Sequence, residues 1–431
     1  MSSVRKKILW ITWELPYFPG GGGGSTRQFC LIRELSQHYD VYLVTALEAS
    51  QEKYLSLLQP YCKSINWHIN PSNQVRGLRY PLLLQHNVRA ATNSPVFKYT
   101  FSFCFQMICA LLDFKPLRYY HTERVWLSLN KSVFSLLSRE HFDLIHFEHA
   151  DIAHWAEKIM TQTKKTVTAQ NVKSLMHLRY ARIAATPFKK ILAFADGIKY
   201  FLYEKTYLKK LSKVFVMSKD DQKILHRIDP RISIAVIENG VDTAYFSSDS
   251  NSPAELNRAV FVGSLHYQPN QDGAYWWIRK ILPLLNHPEK PFFFDVVGIN
   301  APDRLLQMQS NHIKVYGNAD DIRPAVAQAA FFVVPLRSGS GTRLKILDAM
   351  AMGKVVISTT LGAEGIDCTH NENIMIANTE KEFVDTITSL QSQPERIRRI
   401  GLSARKFVEN SYDWKLIGDR LHVEIEKMIG N

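Results

Sequence analysis

The sequence predicts an α/β fold built on parallel sheets, and three observations carry that expectation. Residues 331–360 read as a short buried strand, a Gly/Ser loop, an amphipathic helix and a second buried strand. A glycine run at 20–24 follows a first apolar strand and leads into helical spacing at Leu31, Ile32 and Leu35. The second half then alternates strand and helix at short intervals. Strands separated by a helix pair in parallel, because the crossover uses the helix to return to the same edge. A glycine loop that opens a helix also offers free backbone N–H groups to an anion.

With 431 residues, 46% of them hydrophobic, the chain can bury cores for two or three domains. Its cysteines, at 30, 62, 104, 109 and 368, are scattered without Cys-x-x-Cys spacing, which fits a reducing compartment. The apolar run at 8–12 is too short for an export signal. The net charge of +13 is uneven. Residues 1–213 hold 29 Lys and Arg against 14 Asp and Glu, and the remainder 24 against 26. The excess lies in 76–139 and 173–213. Such a basic face suits anionic lipid, a phosphate-bearing substrate or nucleic acid, or is ordinary solvated surface. No zinc-finger or RNP-type signature supports nucleic acid, so none is expected as a partner.

In order, strands are expected at 7–13, 41–45 and 64–68, with a helix at 51–58. The glycine loop matches neither the P-loop, which needs a Lys before Ser or Thr, nor the dinucleotide fingerprint; it is either a ligand contact or a plain surface loop. Residues 75–137 read as mainly helical, and their most apolar part, 99–112, is too short to span a bilayer. It is a core helix or a surface that dips into lipid. The strand from Phe142 ends in His146, Glu148, His149 and Asp151, at the carboxyl end where ligands gather in open α/β sheets. His146 and Glu148 face one side and His149 the other, and no His-Glu-x-x-His occurs, so no metal is expected. Further strands follow at 166–169, ending in Gln170 and Asn171, and at 214–217, with one long basic helical stretch at 172–211 between them. Ser218 reads as a helix cap, Asn239-Gly240 as a tight turn, and 247–257 as a linker.

In the second half, strands are expected at 259–263, 292–298, 313–316, 331–334, 355–358 and 374–377. Helices are expected at 274–285, 303–309, 321–329, 342–352 and 380–390. Met350 and Met352 read as core packing, and Trp276 and Trp277 as core or domain-surface residues. Arg343 and Lys345 fall at the start of the 342–352 helix, where the macrodipole disfavours cations and an anionic ligand would favour them.

The landmarks in order are the glycine loop, Asp143-Leu-Ile-His146, Glu238-Asn-Gly-Val-Asp242, Phe261-Val-Gly263, Val296-Val-Gly298, Asp321-Ile-Arg-Pro324, the stretch from Pro335 to Thr360, and the ending at Tyr412-Asp-Trp414. Together they resemble retaining glycosyltransferase family 4, glycosyl transferases group 1, over nearly the whole chain. The resemblance implies the GT-B architecture: two Rossmann-like parallel-sheet domains facing each other across a cleft, with a C-terminal helix returning to the first. Residues 1–216, with 412–431 packing back, would bind the acceptor, and 217–411 a nucleotide sugar. Gly22, Gly23, Gly341, Thr342, Arg343 and Lys345 would hold the donor diphosphate. Ser340, Asp348 and Glu364 would meet the donor sugar or ribose, and Asn171, Asn239 and Gly263 would line the cleft. His149 or Glu148 would be catalytic, His149 being preferred. In a retaining reaction the leaving phosphate can itself take the acceptor's proton, so neither need be a base. No cofactor or metal is required when protein cations supply the charge.

The sequence departs from the family pattern in its two glutamates spaced seven apart, here Ser340 and Asp348, and at Gly263-Ser-Leu-His266, where a diphosphate clamp often stands. Arg343 and Lys345 are expected to take over that clamp. The implied activity is sugar transfer, with retention, from a nucleotide sugar to a lipid-linked or polysaccharide acceptor in bacterial cell-surface polysaccharide or lipopolysaccharide biosynthesis. It would take place on an anionic membrane surface, peripheral to the inner face of the cytoplasmic membrane. Ser340 also motivates a catalytically degenerate nucleotide-sugar-binding partner; nucleotide-sugar epimerisation, which needs paired carboxylates, is the other alternative.

Overall fold

The computed structural model describes residues 5–70, 115–184, 186–247, 254–319, 321–339 and 341–430. The apolar stretch at 99–112, residues 248–253 of the linker and Ser340 lie outside the described residues.

The first sheet contains β1 (Lys7–Thr12), β2 (Asp40–Leu47), β3 (Ser64–Ile69), β4 (Leu144–Glu148), β5 (Lys164–Ala169), β6 (Lys213–Val216) and β7 (Ile234–Val236). Their order is β3-β2-β1-β4-β5-β6-β7. The second contains β8 (Glu255–Ser264), β9 (Phe293–Ile299), β10 (Ile313–Tyr316), β11 (Ala329–Val334), β12 (Val355–Ser358) and β13 (Met375–Ile376), in the order β10-β9-β8-β11-β12-β13. All five neighbouring pairs of the second sheet run parallel. Strands such as Ile8–Ile11 and Phe331–Val334 are buried at every residue, as parallel strands covered by helices on both faces must be. Met350 and Met352 lie in the second core, as their sequence context predicts, and so do Trp276 and Trp277.

By contacts the chain divides into two compact units. The first is Met1–Leu15, Tyr39–Val214 and Leu225–Ser233; the second is Pro16–His38, Phe215–Ile224 and Ile234–Asn431. The helix Gly23–Leu35 belongs to the second unit. There it meets the helix Trp414–Ile429 so closely that a Cβ on Gly418 would stand 2.4 Å from Glu34 Cβ. Arg27, buried on that first helix, donates to the Glu238 carbonyl at 2.6 Å, to Asn239 Oδ1 at 3.0 Å and to the Ile237 carbonyl at 2.9 Å.

Local chemistry explains where elements depart from expectation. The basic stretch at 172–211 is two helices, Lys173–Ile183 and Pro187–Tyr207. Pro187 starts the second helix, and the Thr186 hydroxyl caps it by accepting from Lys189 N at 3.3 Å. The helix predicted at 274–285 begins earlier, at Gln268, and widens into a π turn at Trp277–Ile281. Pro283 follows that turn and lacks the N–H that the Arg279 carbonyl would accept in a regular helix. Residues 51–58 form the tighter 3₁₀ helix Ala49–Leu57.

Arg27→Met removes three donors from buried acceptors. It should destabilise the second unit by about 3 kcal/mol, read as a lower urea midpoint; an unchanged midpoint would show the anchor to be dispensable.

Candidate functional site

In the second sheet the chain runs outward from β8 through β9 to β10, then returns to lay β11 on the other side of β8. Such a reversal opens a crevice at the carboxyl ends of the two strands. Here those ends are Gly263-Ser264 and the loop that begins at Pro335.

Lys345 occupies this place. Its Nζ donates to Asn270 Oδ1 at 2.9 Å and stands 4.5 Å from the centre of the Phe261 ring. A Cβ on Gly263 would come within 2.7 Å of both Lys345 Nζ and Asn270 Nδ2, so only glycine leaves the ammonium room at the strand end. Burial pushes Lys345 down to about 7, with the Arg343 charge adding to the shift and Asp348 opposing it. Burial likewise pushes Asp348, one turn along the same helix, up to about 8, opposed by Lys345.

The loop before this helix is shaped by glycines in the left-handed region, Gly339 at φ 112° and Gly341 at φ 82°. The Arg343 guanidinium folds back over it. Nη1 donates to the Gly341 carbonyl at 2.5 Å, and a Cβ on Gly339 would stand 2.7 Å from Nη2. Arg343 keeps extended backbone, φ −93° and ψ 95°, so the helix is Leu344–Ala351 and begins two residues later than the spacing predicts. Arg343 is thus its N-cap, while Lys345 lies in the first turn. Thr342 Oγ1 is buried and makes no hydrogen bond among the described residues, which leaves it a polar atom able to serve a ligand. Gly365, at φ 83°, would place a Cβ 2.8 Å from that oxygen, so the turn carrying half-buried Glu364 closes on Thr342.

The glycine loop reaches the same helix. A Cβ on Gly23 would stand 3.2 Å from Leu344 Cδ1. Gly21 would clash with the Tyr17 carbonyl at 2.3 Å, and Gly20 has φ 88°, so both are required by the loop's own path. Gly22 is the helix N-cap, with no atom within 4 Å of where a Cβ would be. The second unit therefore gathers Gly23, Gly263, Gly341, Thr342, Arg343, Lys345 and Asp348 around one helix start. Asn239, in the same unit, accepts from Arg27.

His149, Glu148 and Asn171 belong to the first unit. At the end of β4, Glu148 is fully buried. Its Oε2 lies 3.2 Å from His146 Nε2, and its Oε1 accepts from Gln170 Nε2 at 2.8 Å. His146 Nδ1 is 2.9 Å from Thr166 Oγ1. His149 turns the other way. Its Nε2 lies 2.7 Å from Glu14 Oε1, and its ring centre is 5.1 Å from that of Trp13. His149 has φ 79°, a strained backbone for a residue with a side chain, where β4 gives way to the 3₁₀ helix Ala150–Lys158. Asp151 follows, buried, with Lys173 Nζ at 3.1 Å. Burial opposes its ionisation, yet the charges of Lys173, Arg118 and His149 bring it down to about 2. Asn171 lies two residues past β5, partly buried.

Two participants escape a reading of the sequence. Asn270 holds Lys345, and Glu14 holds His149, but neither stands in a motif; distant segments bring each pair together.

Residues 257–393 match the model of the family described as Glycosyl transferases group 1. An uncharacterized 44.6 kDa protein in the cps region of Klebsiella pneumoniae is 25% identical over 241 residues. That alignment covers 53% of this chain and 60% of the relative, less than two thirds of its length. Among solved structures, sucrose-phosphate synthase from Thermosynechococcus elongatus is similar with a TM-score of 0.69 at 13% identity, covering 99% of this chain and 100% of that one. HepE from Anabaena, solved in complex with UDP, is similar with a TM-score of 0.60 at 14% identity, covering 98% and 100%. At these identities the structural likeness speaks for the fold. The chain thus has the α/β GT-B fold of two Rossmann-like parallel sheets, and the part of it that matches the glycosyl transferases group 1 model, residues 257–393, includes the helix start with Arg343 and Lys345.

Proposed function

We propose that the chain transfers a sugar from a nucleoside-diphosphate sugar to a lipid-linked or polysaccharide acceptor, with retention of configuration, as a peripheral protein at the cytoplasmic membrane face. The observation that carries the donor half is the desolvated Lys345, beside Arg343, at the switch point of the second sheet. Binding of UDP by the Anabaena protein and the cps-region origin of the Klebsiella relative favour a nucleotide donor and a polysaccharide product. Among the described residues no helix is long and apolar enough to cross a membrane, which fits a peripheral placement.

In this reading the diphosphate becomes more negative as the glycosidic bond to it breaks. Arg343, Lys345, the Thr342 hydroxyl and the N–H groups of the Gly341 loop stabilise that charge once the bound donor has drawn Arg343 onto its phosphates. Asp348 is the ribose contact. His149, held by Glu14, is the catalytic-side group. Glu148 instead orients His146 and Gln170, since both its oxygens are engaged by them. A second reading, a binding partner without turnover, is favoured by Ser340 where the family carries a carboxylate.

Arg343→Ala should raise the Kd for UDP about 10- to 100-fold in isothermal titration; an unaltered Kd would remove Arg343 from the clamp. The same titration tests Lys345. An anion raises the pKa of this ammonium above its unliganded value near 7, so binding takes up a proton. Affinity is then greatest where Lys345 is already charged and weakens as pH rises from about 7 to about 9, by up to about tenfold per unit. Ionisation of Asp348 above about 8 works in the same direction. A flat profile with no buffer-dependent proton uptake would exclude this linkage.

Release of nucleoside diphosphate from a panel of donors tests transfer itself. His149→Ala should lower the rate by at least about tenfold with donor affinity unchanged. Tight binding without release for every donor would establish the second reading.

A further inference from the structure

The helices Lys173–Ile183 and Pro187–Tyr207 pack as a hairpin in the first unit, and the chemistry proposed above makes no use of it. Gly197 permits their contact, since a Cβ there would stand 2.8 Å from Leu178 Cγ. The inner face of the second helix is fastened down. The Tyr203 hydroxyl accepts from His154 N at 3.2 Å and donates to the Asp151 carbonyl at 2.9 Å. Glu204 accepts from Lys173 N at 2.7 Å and from the Ser174 hydroxyl at 2.5 Å.

The outer face is apolar. Ile191, Phe194, Ile198, Phe201 and Leu202 recur at spacings of three and four and are 39–55% exposed. At the helical period they fall within an arc of about 100°. Tyr180 and Ile183 add exposed apolar surface on the neighbouring helix. Lys190 and Lys205 are exposed at or within the border of that arc, and Arg182 is exposed on the neighbouring helix. The hairpin's two carboxylates, Asp196 and Glu204, are both buried, so the charged groups it shows to solvent are cations.

A solvated helix does not expose a continuous stripe of Ile, Phe and Leu, and a second copy of this surface would set lysine against lysine. An apolar stripe bordered by cations fits the headgroup boundary of an anionic bilayer. We propose that this face of the hairpin lies in such a membrane surface, with the Ile191–Leu202 stripe inserted among acyl chains and the flanking lysines on lipid phosphates. The inference rests on the peripheral placement proposed above and is independent of the transfer chemistry.

The test is flotation of the full chain with phosphatidylcholine vesicles, with and without phosphatidylglycerol. The unmodified protein should float with the anionic vesicles and lose part of its binding at high salt. Phe194→Ser with Ile198→Ser should cut the bound fraction at least about tenfold while the thermal midpoint stays unchanged, because both side chains are exposed. Lys190→Ala with Lys205→Ala should abolish the preference for phosphatidylglycerol. Undiminished flotation of the serine variant overturns the proposal, as does an unmodified protein that fails to float. So does a serine variant that converts a self-associated species to monomer, in sedimentation velocity, without losing vesicle binding. Flotation without any sugar transfer would leave this inference standing and remove the catalytic one; transfer without flotation would do the reverse.

Discussion

An ammonium withdrawn from water, with a guanidinium beside it and a helix start beneath it, is an arrangement that calls for an anion. The second unit is organised around that constraint. β8 carries a glycine, Gly263, one residue before its end because the lysine needs the space, and Asn270 supplies an acceptor but no charge. The carboxyl of Asp348, which opposes the depression of Lys345, is itself driven toward neutrality by burial. In the proposed reading a bound diphosphate places its negative charge against the Lys345 ammonium and the Arg343 guanidinium.

The first unit distributes its charge differently. The excess of Lys and Arg counted along residues 173–213 understates the surface contrast, because the two acidic groups there, Asp196 and Glu204, are buried, Glu204 as a hydrogen-bond acceptor. Burial pushes Glu204 up to about 7, and the hydrogen bonds from Ser174 and the helix N–H groups oppose that shift. One carboxyl thereby caps a helix and is withheld from the outer field. Charge counts read along a chain carry no such distinction between faces.

The legible part of the sequence was what depends on neighbours a few residues apart. Strands expected at 313–316 and 355–358 coincide with β10 and β12, the first alternating buried and exposed side chains at the sheet's edge and the second a short apolar run buried throughout. The parallel arrangement followed from strand-helix alternation, and Ser218 caps the next helix by accepting from Asp221 N at 3.1 Å. Pro187 was a visible stop signal inside a stretch read as one helix, overridden by the strength of the helical spacing on either side. What stayed illegible depends on chain paths. Residues 16–38, contiguous with β1, cluster with the second unit, and Arg27 reads as an ordinary helix-surface cation until Ile237–Asn239 cover it. Of the site, the Gly-Thr-Arg-Leu-Lys run could be read directly, whereas Asn270 and Glu14 could not.

The Arg343 guanidinium resting on the Gly341 carbonyl has a kinetic meaning. In the proposed reaction that arginine must exchange an internal acceptor for phosphate oxygens before chemistry and recover it afterwards. Groups arranged to favour a departing diphosphate also favour the diphosphate once it has departed, so the spent nucleotide competes with fresh donor. Return of Arg343 to its loop is then the step that clears the crevice, and the pace of turnover passes from bond breaking to product escape.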